Sequence, residues 1–228
     1  MKKIIVGFIL AVMLLSTSIC VMAEEFSEIG MKIELPDEYY DLKSGIDNND
    51  TKISYYETVL RVTSEELKNQ YNQNGIVYNG LSSNLSKELI ISVIENTRTK
   101  NNFHLTSLDE KEIEDLKKEI LATAGDAQVE EQNLYEHNEI KYIYTKFING
   151  TTTIYQYYTI VNGKAITITL NSKYSNVQQD ELKNIVDTIQ FNEIQEKPII
   201  TVSPIMIAGI IVVIIVIIII TIIKKKNK

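Results

Sequence analysis

The 228-residue sequence has one cysteine, two histidines, three prolines and no tryptophan. Each shortage excludes something. Cys20 falls in a segment expected to be removed, so no disulfide, thiol nucleophile or Cys-ligated metal is expected in the mature chain. His104 and His137 have no second His, Cys or clustered acid at metal-ligand spacing, so no metal site and no cofactor is expected. There is no Gly-x-Ser-x-Gly elbow and no Gly-rich phosphate loop, so no catalytic residue is assigned and the chain does not read as an enzyme. The segment Asp47-Asn48-Asn49-Asp50-Thr51 opens like a calcium loop. It then places Lys52 where the turn needs Gly and Thr58 where the loop needs Glu, so it reads as a solvated loop. Pro36, Pro198 and Pro204 are the only prolines; none interrupts residues 37–197, which read as one domain.

Basic charge is also scarce where a domain could use it. The net charge is −7, but Lys2, Lys3, Lys224, Lys225, Lys226 and Lys228 sit at the two ends. Between them 17 bases face all 30 acids, a net −13. A duplex binder needs a basic footprint to release counterions, so nucleic acid is excluded as a partner.

The two ends are apolar. Residues 1–23 have a charged start, a short run from Ile4 to Leu15, and Val21-x-Ala23, which reads as a signal peptide cleaved after Ala23. Ile19 and Thr17 do not fit a lipoprotein signal around Cys20. Residues 205–223 are almost entirely apolar; 19 residues at a helical rise of ~1.5 Å span the hydrocarbon of a bilayer. The four lysines that follow predict a tail, 224–228, held in the cytoplasm. The upstream Lys197-Pro198-Ile199-Ile200-Thr201 is not a wall-sorting motif, and the terminal lysines exclude a GPI signal. The expectation is a single-pass protein of a cell membrane, its N-terminal domain outside. The domain occupies 24–192 and a juxtamembrane stalk 193–204. Abundant Ile, Asn, Lys and Tyr fit an AT-rich, Gram-positive-like bacterium.

Patterning predicts the elements between. A strand covers 31–35 and ends at Pro36; residues 44–51 are a polar loop; residues 52–62, rich in β-branched and aromatic residues, read as extended. Thr63-x-x-Glu66 is a capping box opening a helix to about residue 72. Residues 76–78 read as a strand turning at Asn79-Gly80, and 89–95 as another. Ser107-x-x-Glu110 caps a second helix with Ile113, Leu116 and Ile120 on one face and Gly125 beyond its end. Strands at 139–148, 151–161 and 164–170 are joined at Asn149-Gly150 and Asn162-Gly163, the type I′ hairpin signal, and form a three-stranded meander. A last helix covers 177–189, with Leu182, Ile185, Val186 and Ile189 as its apolar stripe. The sum is an α+β fold: an α/β/α sandwich with one central antiparallel sheet, followed by the transmembrane helix.

Three stretches resemble the PsbP family and its bacterial relatives. They are Met31-Lys-Ile-Glu-Leu-Pro36, the meander end at 158–170 (Tyr-Thr-Ile-Val-Asn-Gly-Lys-Ala-Ile-Thr-Ile-Thr-Leu), and the close at 182–191 (Leu-Lys-Asn-Ile-Val-Asp-Thr-Ile-Gln-Phe). The resemblance implies a sandwich fold and a non-enzymatic extracytoplasmic role. It carries over no catalytic residue and no photosynthetic function.

Two surface features remain. Asp109, Glu110, Glu112, Glu114, Asp115 and Glu119 form a solvated helix face, or a docking patch for a basic partner. A two-residue loop at Asn149-Gly150 pairs Tyr144 with Tyr155 and Tyr142 with Tyr157, placing all four on one sheet face. They form either sheet core under helices or a partly open aromatic platform for a glycan, peptide or protein. The expected function is a membrane-anchored, non-catalytic extracytoplasmic domain that binds or assists another cell-envelope protein. The alternatives are a ligand-sensing ectodomain coupled to a separate membrane protein, and a surface hydrolase using acidic residues.

Overall fold

The computed structural model describes residues 21–44, 51–173 and 179–197. The expected span at 205–223, the cytoplasmic tail, Cys20, most of the signal and the Asp47–Asp50 stretch lie outside the described residues. Among those described, no helix is long and apolar enough to cross a membrane. The described residues up to Gln195 form one compact unit, which carries every element below.

The fold is α+β with two antiparallel sheets and, among the described residues, five α-helices. The strands are β1 (Val21–Phe26), β2 (Met31–Pro36), β3 (Tyr39–Lys43), β4 (Ile76–Ser82), β5 (Lys87–Ile94), β6 (Gln128–His137), β7 (Ile140–Asn149), β8 (Thr152–Val161), β9 (Lys164–Ser172) and β10 (Gln190–Phe191). The helices are α1 (Thr51–Leu60), α2 (Ser64–Asn74), α3 (Thr97–Asn102), α4 (Glu110–Ala122) and α5 (Gln179–Val186). A seven-stranded sheet runs β3-β4-β5-β9-β8-β7-β6, and a three-stranded sheet runs β1-β2-β10.

The expected single central sheet is therefore corrected. The 31–36 strand pairs with β1 and β10 in a separate small sheet, not with the large one. Its alternation buries Met31, Ile33 and Leu35. These side chains join Leu182, Ile185, Val186 and Ile189 of the α5 region over one face of the large sheet. β1 begins at Val21, upstream of the expected cleavage. The pairs Glu24↔Ile33, Glu25↔Lys32 and Phe26↔Met31 lie on its mature side.

The opposite face is covered by two separate helical clusters. Ile53, Tyr56, Leu67 and Tyr71 of α1 and α2 pack on Leu42 and Leu81. Leu116 and Ile120 of α4, with Leu105, pack on Ile143, Phe147 and Ile160. Residues 52–60 of the expected extended stretch are thus helix. Ile53, Tyr56 and Leu60 recur at helical spacing, and burying that stripe outweighs the modest strand preference of the Tyr, Val and Thr between.

Other boundaries moved for local reasons. The Thr63–Glu66 capping box is present, and α2 ends on Gly75 in the left-handed conformation. Asn79-Gly80 is not a turn but the middle of β4. A Cβ on Gly80 would lie 2.7 Å from the Tyr78 hydroxyl and 2.9 Å from Tyr39 Cβ, so Gly is there for a close approach. The cap of α4 is Asp109 with Glu112, not Ser107 with Glu110; Ser107 Oγ donates instead to His104 O at 2.7 Å. The meander has four strands, because β6 pairs with β7 through Asn138-Glu139, both at positive φ. Asn162-Gly163 makes the expected two-residue turn, whereas Asn149 pairs with Thr152 and leaves Gly150-Thr151 as the first one.

Candidate functional site

The gap between the two helical clusters positions the site. Rows of the large sheet run straight across it: Leu81 pairs Glu88, Glu88 pairs Asn171, Asn171 pairs Ile154, and Ile154 pairs Phe147. Leu81 belongs to the α1/α2 cluster and Phe147 to the α4 cluster. Glu88 and Asn171, on the central strands β5 and β9, lie between the two. The alternation in β9 shows the consequence. Ile166, Ile168 and Leu170 are buried under α5 and the small sheet, while Thr167, Thr169 and Asn171 on the other face are only half-buried. In β5, Leu89 and Ile91 are buried, and Glu88, Ile90 and Ser92 are half-buried. A sandwich covers both faces of its sheet, and at these two strands one face is not fully covered. A polar strip remains open there.

At one end of the strip lies a cavity of about 290 Å³. Leu60, Leu81, Leu85 and Ile154 supply its apolar wall, Glu88 and Asn171 its polar wall, and Lys173 stands at its mouth. The turn between β4 and β5 builds one rim. Asn84 Oδ1 accepts from Ser82 Oγ at 2.9 Å and Ser86 N at 3.0 Å, while Lys87 N donates to Ser82 Oγ at 2.9 Å. This knot holds Leu85 at φ +56°, a left-handed conformation costing a non-glycine residue about 1–2 kcal/mol. The strained residue is one whose side chain lines the cavity.

The carboxylate of Glu88 is held from both sides. Asn79 Nδ2 donates to Oε1 at 2.9 Å, and Asn171 Nδ2 donates to Oε2 at 3.0 Å. Among the described residues Glu88 makes no ion pair. Its neighbour Lys87 points to the other face of the sheet and pairs with Glu181 at 2.7 Å and Glu38 at 3.6 Å. Burial lowers the Lys87 pKa, but these two carboxylates outweigh it and leave the ammonium above its ordinary value. Below Glu88, the Tyr56 hydroxyl lies 2.7 Å from the carbonyl oxygens of both Asn79 and Tyr40, donating to one at a time. Burial raises the phenols of Tyr56 and Tyr71, and the charge of Glu88 raises both further.

The four tyrosines singled out by the sequence do share a face. The register differs by two residues from the expectation: Tyr144 faces Tyr157, and Lys146 faces Tyr155. A shift of two preserves the face, which a shift of one would not. Tyr142, Tyr144, Tyr155 and Tyr157 are 1–4% exposed and pack in the core beneath α5 and the small sheet. They are sheet core here, not a platform: the small sheet, placed elsewhere by the sequence reading, covers them. Tyr142 and Tyr157 meet edge to face at 6.1 Å between ring centroids.

The remaining candidates are dispersed. On α4, Glu114 pairs with Lys117 at 2.7 Å, Asp115 with Lys118 at 3.3 Å, and Glu119 with Arg98 of α3. The first two are exposed i,i+3 pairs. Tyr158, beside the Arg98–Glu119 pair, is pushed up to about 12, chiefly by burial. His104 Nε2 lies 2.7 Å from Gln195 O and pins the start of the expected stalk. His137 ends β6, with Nδ1 3.7 Å from Asp187. Among the described residues, no group of three His, Cys, Asp or Glu could hold a metal ion.

No family model and no curated protein matches this chain. Solved structures similar to it include PsbP of the cyanobacterium Synechocystis, with a TM-score of 0.48 and 11% identity over 76% of this chain and 93% of that one. The Ran-binding protein Mog1p of Saccharomyces cerevisiae is similar with a TM-score of 0.41 and 9% identity, over 76% of this chain and 96% of that one. Identities at this level transfer no residue role to this chain.

Proposed function

We propose that this chain is a membrane-anchored, extracytoplasmic, non-catalytic binding domain that assists another protein of the cell envelope. One observation carries the binding part. The cavity between the helical clusters has an apolar wall and, among the described residues, a single carboxylate, Glu88, already fixed by two amide donors. A carboxylate held in this way is oriented to receive a partner group. Support for the anchoring comes from the sequence: the charged, apolar start, the 19-residue apolar run at 205–223, and the lysines that follow it.

In-cell crosslinking and pull-down of the tagged full-length chain tests the proposal, beside a control ending at Pro198. One recurrent membrane protein recovered with the full-length chain is the expected result. Background-level recovery from both chains contradicts it. A ligand-sensing ectodomain is the second reading, favoured by the cavity's size, which suits a small molecule as well as a side chain.

A further inference from the structure

We infer that the cavity is a site for a primary alkylammonium group, its nitrogen on Glu88 and its chain against Leu60, Leu81, Leu85 and Ile154; the inference rests on the binding role proposed above.

The charge argument comes first. Glu88 is half-buried and bears one negative charge without an ion-pair partner among the described residues. A carboxylate taken partly out of water gains strongly from a cation. Two of the nearby lysines are committed elsewhere. Lys87 is spent on Glu181 and Glu38 across the sheet, and Lys52 pairs with Asp41 at 2.7 Å. Lys173, at the mouth, is exposed to solvent and makes no ion pair with Glu88.

Geometry then selects the kind of cation. An ionised carboxylate has about four acceptor positions, and the Asn79 and Asn171 amides take one on each oxygen. One acceptor position is left on each oxygen. A compact ammonium needs only one approach. Calcium or magnesium would need six or more oxygens, and among the described residues the cavity wall offers one carboxylate. The apolar wall adds the second requirement, an alkyl stem of a few carbons beside the charge. That chemistry belongs to a free aliphatic amine or to a lysine side chain of a partner.

The test is methyl-detected NMR of the full-length chain in detergent micelles. The chain is titrated with n-butylammonium, n-butanol, sodium butyrate and the tripeptide amide Ac-Gly-Lys-Gly-NH2. The expected result is saturable shifts of the Leu60, Leu81, Leu85 and Ile154 methyls with butylammonium, at an affinity about tenfold or more above that for butanol. Glu88→Gln is expected to lower the butylammonium affinity about tenfold. If that variant fails to fold, the comparison of butylammonium with butanol on the natural chain decides alone. A tripeptide tighter than butylammonium identifies the source as a partner lysine; the reverse order identifies a free amine; either supports the proposal. Equal shifts with butanol overturn it while leaving the cavity a binding site. The absence of shifts with every probe also overturns it, and the crosslinking experiment then decides separately whether the binding role stands.

Discussion

Glu88 and Asn171 face each other across the β5–β9 pair, and Asn171 Nδ2 donates to Glu88 Oε2 at 3.0 Å. This bond joins the two central strands on the face that the helices leave uncovered. Asn171→Ala removes it and leaves half-buried Glu88 to water on that side. The expected loss is about 1 kcal/mol in urea unfolding. Thr169→Ala, on the same strip and without a bond to a charge, is expected to change stability by less than about 0.5 kcal/mol.

Gly75 is a sharper case. It closes α2 at φ +61°, and a Cβ there would lie 2.2 Å from Val93 O. The Gly75 carbonyl also accepts from Val93 N at 2.8 Å, so the backbone cannot back away without losing that bond. Gly75→Ala is expected to cost about 2–4 kcal/mol, read as a lowered urea midpoint with an unchanged slope.

The tyrosine core yields a paired prediction. The Tyr144 hydroxyl is buried with no hydrogen-bond partner among the described residues. Tyr144→Phe is therefore expected to be neutral within about 0.5 kcal/mol, since nothing is lost with the oxygen. Tyr142→Ala removes a ring 1% exposed and is expected to cost about 3–5 kcal/mol. An exposed platform would tolerate both changes.

Asp187 ties α5 to the edge strand β6. It accepts from Tyr135 and, at 2.6 Å, from Lys183, whose Nζ also lies 5.1 Å from the Tyr135 ring centroid. Burial raises the Asp187 pKa, but the bonds from Lys183 and Tyr135 outweigh it and hold the carboxyl below its ordinary 3.8. A depressed carboxyl contributes stability that is present above 3.8 and lost as pH falls through the folded value. Asp187→Asn is expected to lower stability by about 0.5–1 kcal/mol near neutral pH, and the two stability curves are expected to converge in acid. Urea midpoints measured from neutral pH down past the carboxyl's ordinary value check this.

Much of the fold was legible because several signals were local. The Thr63–Glu66 box, the Ile113-Leu116-Ile120 stripe and the Asn162-Gly163 turn each depend on residues close in sequence, and each appears as expected. The misreadings share a cause. α1 looked extended because Tyr, Val and Thr favour strands, while its helical spacing mattered only once β3 and β4 were there to bury Ile53 and Tyr56. β6 was hidden because its residues are all exposed or half-buried, an edge strand with little apolar alternation. The small sheet joins residues 21–36 to 190–191, a pairing no local pattern specifies. The candidate site was missed for the same reason. Glu88 and Asn171 are 83 positions apart, and only the strand order makes them neighbours. One local signal was available: Thr167-x-Thr169-x-Asn171 alternates with Ile166-x-Ile168-x-Leu170, which marks a strand with one uncovered face.

The most direct test of the account places a photo-crosslinking residue at Thr152, on the cavity lining, in the full-length chain in intact cells. A control carries it at Asn133, exposed on β6 at the far edge of the sheet. The account predicts one recurrent envelope protein crosslinked from position 152 and absent from position 133. The same products from both positions, or none from position 152, would contradict it.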